Sequence, residues 1–288
     1  MPKPSNLHSK IFLDSSDPKE TQIILDKIGF LDGQTTNPSL VVKNPEVQKK
    51  LATGQKFSTD ELLDFYKNTV QEISKLIPRG SVSIEVYADK NSTKDDLLKQ
   101  AKEMYFWIPN AHIKFPTIKL GLEAAADFVQ DGGRVNMTLC FNQAQAAAVY
   151  AATQGAKKGD VFYSSFVGRL FDNGINGIAQ LANVIKMYEN SDGHVEVLAA
   201  SFRNFEQFFA SIALKSDIIT TPFALLLEWA DKGLITPDEN YKFISSETKT
   251  PEFEDYNLTN PWQSFDINHP LTDNGLERFA ADWNNILK

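Results

Sequence analysis

The sequence predicts an α/β fold, a closed (β/α)8 TIM barrel in a single domain over residues 1–288. Three observations carry this. Short β-type runs alternate with longer helical runs, without an obvious linker, up to about residue 233. Eight such strands can be drawn in order, a number that suits closure of a parallel sheet on itself. No G-x-G-x-x-G or G-x-x-x-x-G-K-[ST] loop follows any strand, which weakens the rival reading, an open doubly wound nucleotide-binding sheet.

The strands fall at 11–15, 32–36, 81–87, 112–116, 134–140, 161–166, 196–201 and 218–222. Helical stretches lie near 18–28, 59–77, 93–107, 119–131, 142–154, 175–190, 204–213 and 223–232. Right-handed βαβ connections follow from that alternation. Residues 235–268 break it, with seven acidic and two basic residues, three prolines and six aromatics (Tyr241, Phe243, Phe253, Tyr256, Trp262, Phe265). That is too aromatic for a solvated linker. It predicts an ordered cap or a contact between copies in a homo-oligomer, against a plain surface excursion. The stretch 270–287 then reads as an amphipathic helix with Leu271, Leu276, Phe279, Trp283 and Leu287 along one side.

Composition narrows the function classes. The 288 residues carry 29 Lys plus Arg against 37 Asp plus Glu, a net charge of −8. This acidity disfavours nucleic acid and anionic membrane surfaces as partners. An apolar stretch of membrane-spanning length and a signal-peptide core are both missing, so a cytoplasmic protein is expected. Cys140 is the only cysteine, which excludes an internal disulfide and a cysteine metal cluster. The four histidines are far apart in sequence and no metal-binding spacing is present. No G-x-S-x-G elbow supports a serine hydrolase.

Strand side chains alternate faces, so polar residues at every second position share a direction. Ser83, Glu85 and Tyr87 oppose Val82, Ile84 and Val86; His112 and Lys114 oppose Ile113 and Phe115; Asn136, Thr138 and Cys140 oppose Val135, Met137 and Leu139. With helices covering the apolar faces, Asp14, Glu85, Lys114, Asn136, Thr138 and Ser164 converge inside the barrel near the strand C-terminal ends. Barrel active sites sit at that end. Lys114, in an apolar strand and before Pro116, is the most informative residue. Burial disfavours its charge, and a neutral amine is what carbonyl attack requires. A buried ion pair with an acidic residue is the alternative. Arg169 and Arg203 follow the sixth and seventh strands and suit an anionic ligand, or else surface salt bridges. Cys140, inward in this reading, is a packed small residue rather than a nucleophile.

These residues resemble the transaldolase family. Phe12-Leu13-Asp14 and Asp32-Gly33-Gln34-Thr35-Thr36-Asn37-Pro38 are similar to its opening strands. Ile113-Lys114-Phe115-Pro116 resembles its Schiff-base strand, and Asn136-Met137-Thr138 and Ser164-Ser165-Phe166-Val167-Gly168-Arg169 resemble its fifth and sixth strands. Ala200-Ser201-Phe202-Arg203 resembles the phosphate side, and His269 to Trp283 the closing helix of the small bacterial branch. The family fold is a class I aldolase-like (β/α)8 barrel.

The resemblance implies transfer of a dihydroxyacetone unit between sugar phosphates in the pentose phosphate pathway, without metal or cofactor. Lys114 would form the Schiff base, Asp14 would take the C4 hydroxyl proton, and Glu85 with Thr138 would hold a relay water. Asn37, Asn136 and Ser164 would bind donor hydroxyls, beside Phe166, and Arg169, Ser201 and Arg203 the phosphate. In the related fructose-6-phosphate aldolases, which release dihydroxyacetone, Gln stands at Glu85 and Tyr at Phe166, so this pair of residues favours transfer. A catalytically silent sugar-phosphate binding protein is the different-class rival. The sequence departs from the family at Ser165, where proline is usual, at Thr117, directly after Pro116, and in the insertion at 235–268.

Overall fold

A computed structural model describes residues 2–245 and 247–288. Eight parallel strands, β1 (Lys10–Asp14), β2 (Gly33–Thr35), β3 (Ser81–Glu85), β4 (Ala111–Pro116), β5 (Val135–Cys140), β6 (Val161–Phe166), β7 (Val195–Ala200) and β8 (Ile218–Pro222), close in sequence order. The β1–β8 ladder, from Lys10↔Ile218 to Asp14↔Pro222, seals the barrel. Around it run α1 (Pro18–Ile28), α2 (Pro38–Lys43), α3 (Pro45–Ala52), α4 (Thr59–Leu76), α5 (Lys94–Tyr105) and α6 (Lys119–Gln130). They continue with α7 (Gln143–Ala152), α8 (Val167–Phe171), α9 (Gly177–Tyr188), α10 (Phe205–Ala213), α11 (Phe223–Asp231) and α12 (Pro270–Asn285). No helix among the described residues is long and apolar enough to cross a membrane.

Local chemistry sets the helix starts. Ser58 with Glu61, Thr93 with Asp96 and Asn142 with Gln145 form reciprocal capping boxes on α4, α5 and α7. Three helices were not anticipated. Two of them, α2 and α3, each begin at an Asn-Pro pair, where Asn37 and Asn44 cap and Pro38 and Pro45 occupy the first turn. The third, α8, is a five-residue turn directly after β6.

Alternation places Ile11, Leu13, Ile84, Ile113, Val135 and Met137 in the layer between strands and helices. Phe12, Phe162, Phe166, Leu198 and Ile218 form a second cluster inside the barrel. Its floor is closed by His112, stacked on Phe162 with ring centroids 4.1 Å apart, and by the Lys10–Glu196 pair at 2.8 Å.

Two facing assignments need correction. Leu139 adopts φ +60°, and the β5–β6 register shifts between Met137 and Cys140. That one residue inverts the alternation. Leu139 joins the inner cluster, while Cys140 turns outward against Thr117 Oγ1 at 3.0 Å. Burial pushes the Cys140 thiol up to about 12, which makes it inert. Likewise β3 ends at Glu85, and Tyr87 packs beyond the strand, its hydroxyl accepting from Asn284 of α12 at 2.8 Å.

The segment between α11 and α12 is a strap around the outside of the barrel instead of a cap over its mouth. Tyr241 packs on Phe209 of α10 and Phe243 on Phe171 of α8. Lys249 bonds the α8–α9 loop through Gly174 O at 2.8 Å and Asn176 N at 2.9 Å. Gln143 of α7 receives the strap's Glu254 N–H and donates to Glu252 O. A 3₁₀ turn at Trp262–Ser264 then packs on α7, and Gln145 donates to Ile267 O at 3.2 Å. The strap delivers α12 to the mouth, where Thr272 Oγ1 donates to Leu139 O at 2.9 Å and Asp282 accepts from Ser39 of α2.

Candidate active site

Neighbouring strand ends place the charged side chains together. Glu85 and Lys114 are directly paired across β3 and β4, each with only 4% of its side chain exposed. Lys114 Nζ stands 2.8 Å from Glu85 Oε2 and donates to Thr36 O at 3.1 Å. The ion pair left open by the sequence is therefore present, and it is the centre of the site. Asp14, the last residue of β1, accepts from Thr35 Oγ1 at 2.7 Å, and Thr35 is itself 2.6 Å from Thr220 Oγ1.

Burial pushes both carboxyls above the ordinary range, and nearby Lys114 pulls each part of the way back. Asp14 also disfavours ionisation of Glu85, as a minor contribution. A buried amine between two carboxyls of raised proton affinity is equipped to pass protons to and from a carbonyl substrate.

Asp14, Asn37, Lys114, Ser164, Phe166, Arg169, Ser201 and Arg203 line one cleft of about 500 Å³ at the C-terminal end of the strands. Glu85 stands behind Lys114, in the wall of a separate cavity of about 360 Å³ that Tyr66, Trp107 and Trp283 also line. Asn136 and Thr138 are fully buried and do not line the cleft. Asn136 Nδ2 donates to Ser83 Oγ at 3.0 Å, whereas its Oδ1 and Thr138 Oγ1 have no protein partner. Buried polar atoms of this kind call for a polar ligand or water.

The cationic side of the cleft depends on a close backbone approach. A Cβ at Gly168 would stand 1.9 Å from Ser201 O, so glycine lets α8 pack against the turn after β7. Ser201 occupies the left-handed region at φ +67°. Arg203 forks onto Asp172 at 2.7–3.2 Å and donates to Ser201 O at 2.9 Å.

Arg169 has no carboxylate within ion-pairing distance among the described residues, and its guanidinium lies 5.1 Å from the Phe166 ring centroid. The rings of Phe141 and Phe279 stand at 5.9 and 6.0 Å. Burial first, then the neighbouring Arg278 and Arg203 guanidiniums, pull its pKa below the usual arginine value. A held, unneutralised guanidinium beside a second arginine is a binding place for an anion.

Two further lining residues, Lys43 at the end of α2 and Arg278 on α12, escaped sequence reasoning. Their signal was ordinary, a basic residue on a helix, and only the crossing of both helices at the mouth brings them in. Among the described residues no group of three or more His, Cys, Asp or Glu side chains is placed to share a metal ion.

A family model described as Transaldolase/Fructose-6-phosphate aldolase matches residues 11–288. Among curated proteins, a "Probable transaldolase" of Dehalococcoides mccartyi is 31% identical over 279 residues, covering 97% of this chain and 100% of that one. A "Probable transaldolase" of Brucella anthropi is 33% identical over 274 residues, covering 95% and 96% respectively. Another, of Cereibacter sphaeroides, is 32% identical over 274 residues, covering 95% of each chain.

Proposed function

The chain belongs to the transaldolase/fructose-6-phosphate aldolase family, and from that premise we propose that it is a transaldolase working through a Schiff base on Lys114. The buried Lys114–Glu85 pair beside Asp14 is the observation that carries this reading. Lys114 gives a proton to Glu85, and the free amine attacks C2 of a ketose phosphate such as fructose 6-phosphate or sedoheptulose 7-phosphate. Loss of water from the carbinolamine leaves an iminium, with Glu85 and Thr138 handling the protons through a water. Asp14 takes the C4 hydroxyl proton, the C3–C4 bond breaks, and its electron pair enters the iminium to give an enamine. The aldose phosphate leaves. A second one, glyceraldehyde 3-phosphate or erythrose 4-phosphate, is attacked by the enamine, and Asp14 returns its proton to the new hydroxyl. Hydrolysis then frees Lys114. Asn37, Asn136 and Ser164 serve donor hydroxyls, and Arg169, Ser201 and Arg203 the phosphate.

A second reading, an aldolase that releases dihydroxyacetone, requires protonation of the enamine by water. Phe166 cannot donate a proton, and its ring stands beside Arg169 in the cleft wall, which favours transfer. The placement in the pentose phosphate pathway and the reading of residues 1–288 as one domain belong to the same proposal.

Borohydride added with fructose 6-phosphate should leave a stable adduct on Lys114, located by peptide mass. Folded protein that forms none would falsify the Schiff-base role. Sedoheptulose 7-phosphate formed from fructose 6-phosphate plus erythrose 4-phosphate, measured against free dihydroxyacetone, separates transfer from release.

A further inference from the structure

Tyr66 lies on α4, outside the cleft, yet its hydroxyl touches both segments that hold the Lys114–Glu85 pair. The ladder between β2 and β3 ends at Thr35↔Ser83. Glu85 N–H therefore has no strand acceptor on that side, and it donates to Tyr66 Oη at 2.9 Å. Tyr66 Oη is also 2.5 Å from Thr36 Oγ1, and Thr36 Oγ1 is 2.7 Å from Ser83 O.

The donors in this chain can be assigned without seeing a hydrogen. A carbonyl only accepts, so the single Thr36 hydroxyl proton goes to Ser83 O. Thr36 Oγ1 must then accept the Tyr66 proton, and Tyr66 in turn accepts from Glu85 N–H. One directed run, Glu85 N–H to Tyr66 to Thr36 to Ser83 O, ties the end of β3 to the residue after β2. Thr36 N–H also donates to Ser83 O at 3.1 Å, which leaves the Thr36 carbonyl as acceptor for Lys114 Nζ.

The ring is fixed as firmly as the hydroxyl. Tyr66 has 1% of its surface exposed and meets Trp107 and Trp283 edge-on at 5.9 and 6.1 Å. Burial raises its hydroxyl well above the ordinary tyrosine range, so it keeps its proton throughout.

We propose that Tyr66 is a positioning residue, which through Thr36 and the Glu85 backbone sets the Lys114 amine and the Glu85 carboxylate at the separation that proton transfer needs. The inference rests on the Schiff-base reading above. Tyr66 borders no part of the cleft, so it acts on the reacting groups without touching substrate. Removing the hydroxyl leaves Glu85 N–H without its acceptor and Thr36 Oγ1 without its donor, and the catalytic pair loses its reference. Misplacements near 1 Å cost about 100-fold in well-aligned reactions.

The test compares wild type, Tyr66→Phe and Thr36→Val in steady-state kinetics and in borohydride trapping with fructose 6-phosphate. Val70→Ala, a buried change one turn along the same helix at a side chain that makes no hydrogen bond in this run, reports on general loosening of α4. Tyr66→Phe is expected to lower kcat and the trapping rate about 10- to 100-fold with KM within about twofold of wild type. Val70→Ala should leave both rates unchanged, even where its melting temperature falls as far. If Tyr66→Phe does not fold, Thr36→Val carries the same expectation. Trapping in the variants at the wild-type rate, or a loss matched by Val70→Ala, overturns the positioning role alone. No adduct in the wild type overturns the Schiff-base reading, and this inference with it.

Discussion

Replacing Arg169 by methionine should separate stability from activity. Arg169 is half-buried, its guanidinium flanked by three phenylalanine rings and without a carboxylate partner among the described residues. In the free protein this charge is a liability: it is partly buried, and it lies near Arg278 and Arg203. Its rings return about 0.5–1 kcal/mol each at best. Methionine keeps an unbranched stem against the same rings and removes the charge. Folding stability should therefore stay level or rise by up to about 1 kcal/mol.

With a sugar phosphate bound, the balance reverses. Two charge-assisted hydrogen bonds, at about 1.5–3 kcal/mol each, give roughly 3–4 kcal/mol once water competes for them. That corresponds to a drop in kcat/KM of about 100- to 1,000-fold. Fructose, lacking the phosphate, should show a far smaller drop. Urea unfolding with and without inorganic phosphate completes the assay, since only wild type should gain stability from the anion. Equal losses on fructose and fructose 6-phosphate, or a destabilisation beyond about 2 kcal/mol, would refute the assignment of Arg169 as a strained anion anchor.

Three other outcomes follow from the same geometry. His112, at the barrel floor, is pushed down to about 3 by burial, so it folds neutral. The unfolded chain binds its proton below about pH 6.5, so this stability is full above that pH and is lost on acidification, about 2–3 kcal/mol between pH 7 and pH 4.5. Asp14 and Glu85, whose folded pKa values are raised, act in the opposite sense. The pH slope of the urea midpoint should thus flatten in His112→Gln relative to wild type; parallel slopes would remove His112 from the account. Asp14→Asn should still form a Schiff base but fail to cleave C3–C4, so borohydride would fix the whole six-carbon sugar on Lys114. A three-carbon adduct there would show that another group takes the C4 proton. At Gly275 an added Cβ would stand 2.5 Å from Leu139 Cδ2 and 2.6 Å from Arg169 Nη1. Both are side-chain ends that can move, so Gly275→Ala should raise KM for the sugar phosphate several-fold at a nearly unchanged melting temperature; a large fall in melting temperature with KM constant would contradict that.

What could be read from the order of residues depended on how local its cause was. The alternation in Val82 to Glu85 and in Ile113 to Phe115 is a property of each strand, and it oriented Glu85 and Lys114 correctly before any partner was known. Pairing them needed the β3–β4 register, which no single strand carries. Leu139 shows the opposite case: one left-handed residue within β5 exchanged the faces of Leu139 and Cys140, and nothing in Val135 to Cys140 announces it. Helices α2 and α3 were legible in principle, since Asn37-Pro38 and Asn44-Pro45 each join a capping side chain to a proline suited to a first turn. Their short apolar patterns hid them. Tyr66, Lys43 and Arg278 were out of reach, because their roles arise only where α4, α2 and α12 meet strands remote in sequence.

The strap has a consequence for how the mouth is closed. Because Tyr241, Phe243, Lys249 and Glu252 of the strap are pinned along α10, α8, the α8–α9 loop and α7, α12 is tethered beside the mouth against which it packs. The contacts of α12 at the mouth are then intramolecular, at an effective concentration far above any protein concentration in a cell. A single cut in the strap would change no residue of the cleft. It would turn the docking of α12 into an encounter between two molecules, and activity would come to depend on dilution.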